Sequence, residues 1–310
     1  MPPNHRLDVA APVPVRKLVH DFEALPDRRT LLRAGELRVV CAFAYEMPHV
    51  VEELGRLREL TFRAAGEGTG QPSDLDVHDQ WYEHIVVWDE LEQRIAGAYR
   101  IADVSSLLER DGLAALYTST LFDYDLAFFD ALGCAAELGR SFVRREYQSG
   151  SALWILWRGI GQWLSRHPAC RHLLGPVSID RGYTDSSIRA MAAELEGRLR
   201  DDRLARLVRP TVPLVCGGPT AVLASTGDPI QALEQRVRGL EPDGRGMPTL
   251  LRHYLKLGAR SLALNVDPAF SDVIDALVVV SLDRVDPQRL ARFMGPEAAL
   301  PWFAAGRKAS

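Results

Sequence analysis

Cysteine is scarce in this chain and poorly spaced for chemistry. The four residues Cys41, Cys134, Cys170 and Cys216 lie far apart with no CxxC pair, which argues against a zinc site or a disulfide framework and leaves buried free thiols as the expectation. Cys134 opens an apolar stretch with no histidine near it in sequence, so packing suits it better than nucleophilic chemistry. Long apolar runs are missing as well. None approaches the ~18 residues of a membrane span, and the opening MPPNHRLDVAAPVPVRK lacks the continuous apolar core of a signal peptide. A cytoplasmic protein is expected, with peripheral membrane contact left open and no nucleic-acid partner. There is no internal repeat or low-complexity tract. What is present is an ordinary globular composition of 310 residues, 47% hydrophobic and 25% charged, enough for one large domain or a domain with an appendage.

Charge is segregated locally although the net charge is only −4. Residues 140–171 carry six arginines (Arg140, Arg144, Arg145, Arg158, Arg166, Arg171) against the single acid Glu146. A local positive surface of this kind recognises an anionic partner. Residues 52–92 carry eleven acids against three arginines, a pattern that for most of these acids describes a solvated face.

Hydrophobic periodicity places the elements. Residues 37–45 are β-branched and apolar and predict a first strand. Apolar positions at helical spacing predict a helix over 48–62, and the Gly, Pro and small polar residues of 66–74 a loop. Residues 84–89 and 94–102 form a predicted hairpin. Further strands are expected at 115–118, 134–143 and 172–179, with helices at 151–166 and 184–199. Strand, helix and strand at that spacing predict a parallel crossover within an otherwise antiparallel sheet. One more helix is expected at 229–240 and another at 248–257, followed by strands at 261–266 and 274–281.

The blocks LRELTFR, DLDVHD, HIVVWD, IAGAYRI, ELGRSFV, the tryptophan helix, LLGPVSI, and MPTLLRHYLKLGA followed by VDPAF stand in an order and spacing that resembles the GNAT-fold acyltransferases of the ornithine-lipid N-acyltransferase and "hemolysin-like" family. More distantly it resembles the acyl-homoserine-lactone synthases. The resemblance runs from about residue 45 to 285. It implies an α/β, three-layer fold with a mixed, mostly antiparallel central sheet flanked by helices. In that fold residues 1–35 would be an N-terminal arm, 36–200 the acyltransferase core, 201–246 a cap or lid, and 247–310 the elements completing the sheet.

The implied activity is transfer of a long-chain fatty acyl group, 3-hydroxylated or not, from acyl carrier protein to the α-amine of an amino acid such as ornithine. Two alternatives stand beside it: a lactone synthase, and a non-enzymatic module that binds lipid or carrier protein. Aminolysis of a thioester needs little covalent help, but the amine arrives protonated and needs a base. Glu137 interrupts an apolar strand, where desolvation would raise its basicity. With Arg140 it matches the acid and arginine pair of the related synthases, and His84 falls where the family usually also has histidine.

Asp76 and Asp79 match the family's paired aspartates, flanked by Arg58, Phe62 and Arg100, and would hold the acceptor or order a lid. His78 departs from the pattern, standing where an aromatic residue is usual. Donor binding falls to Phe142, Val143, Arg144, Arg145, Gly150, Ser151 and Arg158, around a turn that feeds a helix N-terminus. Its incomplete glycine pattern and extra arginines favour an acidic carrier protein over free coenzyme A. Trp154 and Trp157 are candidates to line an acyl tunnel, with core packing and membrane contact as the competing readings. No permanently bound cofactor and no metal is expected.

Overall fold

The computed structural model describes residues 6–215 and 227–303 except 297, 300 and 301. In chain order the elements are α1 (Val15–Ala24), β1 (Thr30–Ala34), β2 (Leu37–Phe43), α2 (Pro48–Ala64), β3 (Glu83–Asp89), β4 (Arg94–Asp103), α3 (Val104–Asp111), β5 (Phe122–Tyr124), α4 (Ala127–Leu132) and β6 (Ala135–Val143). There follow α5 (Ala152–Arg166), β7 (His172–Ile179), α6 (Asp185–Glu196), α7 (Asp202–Ala205), β8 (Val208–Pro210), α8 (Pro229–Leu240), α9 (Thr249–Leu257), β9 (Arg260–Asp267), β10 (Val273–Ser281) and α10 (Pro287–Met294). The fold class is α/β, with a mixed, mostly antiparallel sheet of eight strands flanked by helices. The chain divides into two compact units, and β6 contributes to each.

The first unit comprises residues 1–103, 138–170 and 286–310. Its strands β1 to β4 form an antiparallel meander. Helix α2 opens at Pro48, a first-turn position where the missing N–H costs nothing. Helix α5 is apolar on more than one face because it packs against β1 to β4 on one side and α10 on the other. Two glycines permit both approaches: a Cβ on Gly159 would come within 3.0 Å of Ile85 and Val39, and Gly161 lies against the backbone of Met294.

The second unit comprises residues 104–137 and 171–285. Strand β10, buried along almost its whole length, pairs antiparallel with both β7 and β9. Residues 135–137 of β6 pair parallel with residues 172–174 of β7, the crossover pairing that the strand, helix, strand spacing predicts. Beyond Glu137 that pairing stops. A small second sheet joins β5 and β8. No helix among the described residues is long and apolar enough to cross a membrane.

Two local expectations change. Residues 1–35, read as an irregular arm, contain α1 and β1, and Phe22 of α1 stacks on Trp88 at 4.3 Å between ring centroids. A ten-residue helix is marginal on its own and is held by that burial. Residues 115–118, read as a strand, form 3-10 turns, and the strand comes later as β5. A four-residue apolar run has no periodicity that separates a buried turn from a strand. Of the thiols, Cys41 and Cys170 are buried and Cys134 is half-buried, and none of the three forms a disulfide. Cys216 lies outside the described residues, as does part of the expected cap over 201–246; the rest of that segment supplies α7, β8 and α8.

Candidate active site

A buried cluster of arginines and aspartates lies in the first unit. Arg58 projects from α2, and Asp74, Asp76 and Asp79 from the segment between α2 and β3. His84 comes from β3, and Arg100 from the cross-strand position opposite it on β4. Arg140 comes from β6. The aspartate segment is shaped by its own side chains: Asp76 accepts from the N–H of His78 at 2.8 Å, and Asp79 accepts from the N–H of Asp76 at 2.9 Å. This reciprocal capping pins a turn that carries two carboxylates within three residues. Glu59 secures the preceding loop by accepting from the backbone of Thr69 and Gly70.

The charges interlock. Arg58 Nη1 donates to Asp79 Oδ1 at 2.7 Å, and Arg100 Nη1 donates to Asp76 Oδ1 at 2.7 Å and lies 3.3 Å from Asp79 Oδ1. Both guanidiniums are fully buried. Burial opposes ionisation of Asp76 and Asp79, but it is outweighed. His78 and Arg100 hold Asp76, and Arg58 and Arg100 hold Asp79, well below the usual carboxylate range. Arg100 in turn is held above its ordinary value against burial by Asp79 and Asp76.

His84 is fixed in one state. Its Nδ1 lies 3.3 Å from Arg58 Nη2, and its Nε2 lies 3.1 Å from the carbonyl oxygen of Asp79. A guanidinium only donates and a carbonyl only accepts, so Nδ1 is the acceptor and Nε2 carries the proton. Burial and the Arg58 charge push the ring down to about 4. Both ring nitrogens are therefore engaged in a neutral, fully buried imidazole.

Arg140 has φ = +50° inside β6, a left-handed residue within a strand that costs about 1–3 kcal/mol unless its surroundings hold it. Its Nε lies 3.2 Å from Asp74 Oδ2 and its Nη2 3.6 Å from Asp76 Oδ2. Asp74 is the residue that sequence reasoning missed, having been counted among solvated acids. The available signal was its place at the head of DLDVHD, two residues before Asp76. Burial raises its carboxyl although Arg140, Arg58 and Arg100 pull it down, the opposite of its two neighbours. The Asp76 side chain is 26% exposed and that of Asp79 2%, so Asp76 is the one with an open edge.

The other expected residues fall elsewhere. Phe62 is buried on α2, one turn beyond Arg58. Phe142 is buried, and the carbonyl of Val143 accepts from Gln148 Nε2 at 3.0 Å, closing the turn before α5. Arg144 donates to Glu146 at 2.9 Å, while Arg145, Gly150 and Ser151 are exposed and Arg158 is half-buried. Ser151 makes no capping bond and the first turn of α5 has no acid, so neither its cap nor its first turn offsets the positive end of that helix. Trp157 packs edge-on against Phe293 at 5.2 Å, whereas Trp154 is 47% exposed. In the second unit, Glu137 is buried and accepts from the N–H of Thr118 at 2.7 Å. The hydroxyl of Tyr124 is pushed well up by burial and by the Glu137 charge.

Comparison with known proteins bears on this arrangement. Residues 57–158 match the acetyltransferase (GNAT) domain family, a span that takes in Arg58, the aspartate segment, Arg100 and Arg140. The chain is 29% identical over 293 residues to a glycine N(alpha)-acyltransferase of Bacteroides thetaiotaomicron, covering 88% of this chain and 86% of the relative. It is 28% identical over 293 residues to a glycine N(alpha)-acyltransferase of Phocaeicola vulgatus, covering 88% of each. No solved structure matches. These relatives are named for glycine, not for ornithine. With the α/β fold and the GNAT domain match, they make the chain an N-acyltransferase, which takes an acyl thioester and an amine.

Proposed function

We propose that this chain moves a long-chain fatty acyl group from the thioester of acyl carrier protein to the α-amine of a small neutral amino acid, with glycine as the preferred acceptor. The observation that carries the acceptor choice is charge balance. Asp74, Asp76 and Asp79 are matched by Arg58, Arg100 and Arg140 at 2.7–3.6 Å. A dibasic acceptor such as ornithine brings a second ammonium, and a cluster already neutralised offers it little. The names of the two relatives point the same way.

In this mechanism Glu137 takes the proton of the attacking ammonium, directly or through one water. The amine nitrogen then bonds to the thioester carbonyl carbon, and collapse of the tetrahedral intermediate breaks the C–S bond. The remaining excess proton on nitrogen passes to the leaving thiolate as the amide forms, and no covalent enzyme intermediate forms. The Arg58, Asp79 and His84 network positions the turn that carries Asp76. Arg144 and Arg145, beside the unopposed positive end of α5, supply the charge that an acidic carrier protein and its phosphopantetheine would meet.

The test is a competition assay with purified enzyme, long-chain acyl carrier protein, and glycine and ornithine at equal concentration, with products read by mass spectrometry. N-acylglycine should dominate by at least about tenfold, one 1.4 kcal/mol step in discrimination. A dominant acylornithine would overturn the acceptor assignment. Absence of acylated product with every amino acid tried would overturn the amino-acid reading itself.

A further inference from the structure

At one end of the β7, β10 and β9 strands of the second unit lies a cavity of about 210 Å³. Strand register fixes its floor. His172 opposes Ser281 and Arg260 opposes Val279, so the first residues of β7 and β9 meet the last residues of β10. Arg203 of α7 and Arg284 of the turn after β10 complete the basic lining.

Three arginines thus line one opening, and among its lining residues Asp201 is the sole acid. Asp201 is already engaged: its Oδ1 accepts from the N–H groups of Arg203 and Leu204, both at 3.1 Å. The nearby Asp283 is ion-paired with Arg171. Arg203 and Arg260 each commit one nitrogen to a backbone carbonyl, of Ala131 at 3.1 Å and of Arg198 at 3.0 Å. The rest of each fork remains available. Arg284 is exposed and enters no hydrogen bond or ion pair among the described residues. Like charges gathered without matching acids repel one another, and the arrangement is stabilised when an anion sits among them. His172 supplies an independent sign, because its Nδ1 is buried without a hydrogen-bond partner. The ring is held below its ordinary value by burial first; the Arg203 and Arg284 charges add to this, and the Cys134 carbonyl and Asp283 partly offset it.

We infer that this cavity is a binding site for a phosphoryl oxyanion, carried by a soluble phosphomonoester or by the headgroup of an anionic phospholipid. Several guanidinium forks suit a tetrahedral group with three or more acceptor oxygens better than a planar carboxylate with two. None of its lining residues is among those assigned to acyl transfer, and its test does not depend on that activity.

The experiment follows the His172 imidazole signals by NMR while the full-length protein is titrated with inorganic phosphate, using chloride at equal ionic strength as the control. In parallel, cosedimentation is measured with phosphatidylcholine vesicles with and without phosphatidic acid, whose headgroup is a phosphomonoester. Phosphate that shifts the His172 signals and raises its pKa supports the site with a soluble ligand. Sedimentation that requires phosphatidic acid supports it with a lipid headgroup. In either case Arg284→Gln, which removes no hydrogen bond or ion pair among the described residues, should weaken the effect about tenfold, the scale of one lost charge-assisted contact. Arg203→Gln should do the same. If phosphate acts no differently from chloride and both vesicles behave alike, or if both variants bind as well as wild type, the inference is wrong.

Discussion

Arg58 donates to Asp79 at 2.7 Å with its guanidinium fully buried and the carboxylate 2% exposed. Each charge is tolerable in the interior because of the other, and Arg100 Nη1 at 3.3 Å reinforces the carboxylate. Removing one partner leaves the other buried and uncompensated, at a cost of about 3–5 kcal/mol. Asp79→Asn is therefore expected to lower unfolding free energy on that scale in urea titration. Asp76→Asn, at a partly exposed carboxylate, should cost much less. Equal stability losses in the two variants would contradict the division between an anchoring Asp79 and an accessible Asp76.

Stability should also depend on pH through His84. Its folded-state value of about 4 lies below the ordinary 6.5, so between these values the unfolded chain binds a proton that the folded chain does not. Stability then falls as pH drops from about 6.5 to about 4, by up to about 3 kcal/mol from this group. Asp76 and Asp79, depressed in the fold, add a further loss as pH falls through and below the usual carboxylate range. Chemical denaturation at a series of pH values checks this, and His84→Asn should flatten the slope above pH 4.

Glu137 accepts from the Thr118 N–H, and a glutamine carbonyl can accept that same bond. Glu137→Gln should accordingly keep the fold while lowering acyl transfer by roughly 10²- to 10⁴-fold, the scale of a lost general base. Single-turnover rates with saturating long-chain acyl carrier protein, alongside a thermal melt, separate the two effects. Near-normal turnover would remove Glu137 from the proposed chemistry.

Arg144 and Arg145 stand on the turn before α5, Arg145 exposed and Arg144 ion-paired with the exposed Glu146. Reversing both charges with Arg144→Glu and Arg145→Glu should raise the KM for acyl carrier protein with little change in the KM for glycine. Raising salt should weaken wild-type donor binding in the same direction. A donor KM indifferent to both would place carrier docking on another face.

Local pattern determined much of this protein from its sequence. Helical spacing marked α2, α5, α8 and α9, and β-branched apolar runs marked β2, β7 and β10, because each signal lies within a single element and needs no distant partner. The order of short blocks also pointed to the acyltransferase class and to Arg58, Asp76, Asp79, Arg100 and Arg140. Tertiary structure alone decided what those residues do to one another. Asp74 and Asp76 are two residues apart in sequence, yet burial raises one carboxyl while His78 and Arg100 depress the other. His84 is neutral and locked because α2 and the turn before β3 deliver a donor to one ring nitrogen and a carbonyl to the other. The left-handed Arg140 and the gathering of Arg203, Arg260 and Arg284 at one end of three strands have the same origin. Charge and burial act through space, and a linear pattern carries no measure of the distance between residues 58 and 140.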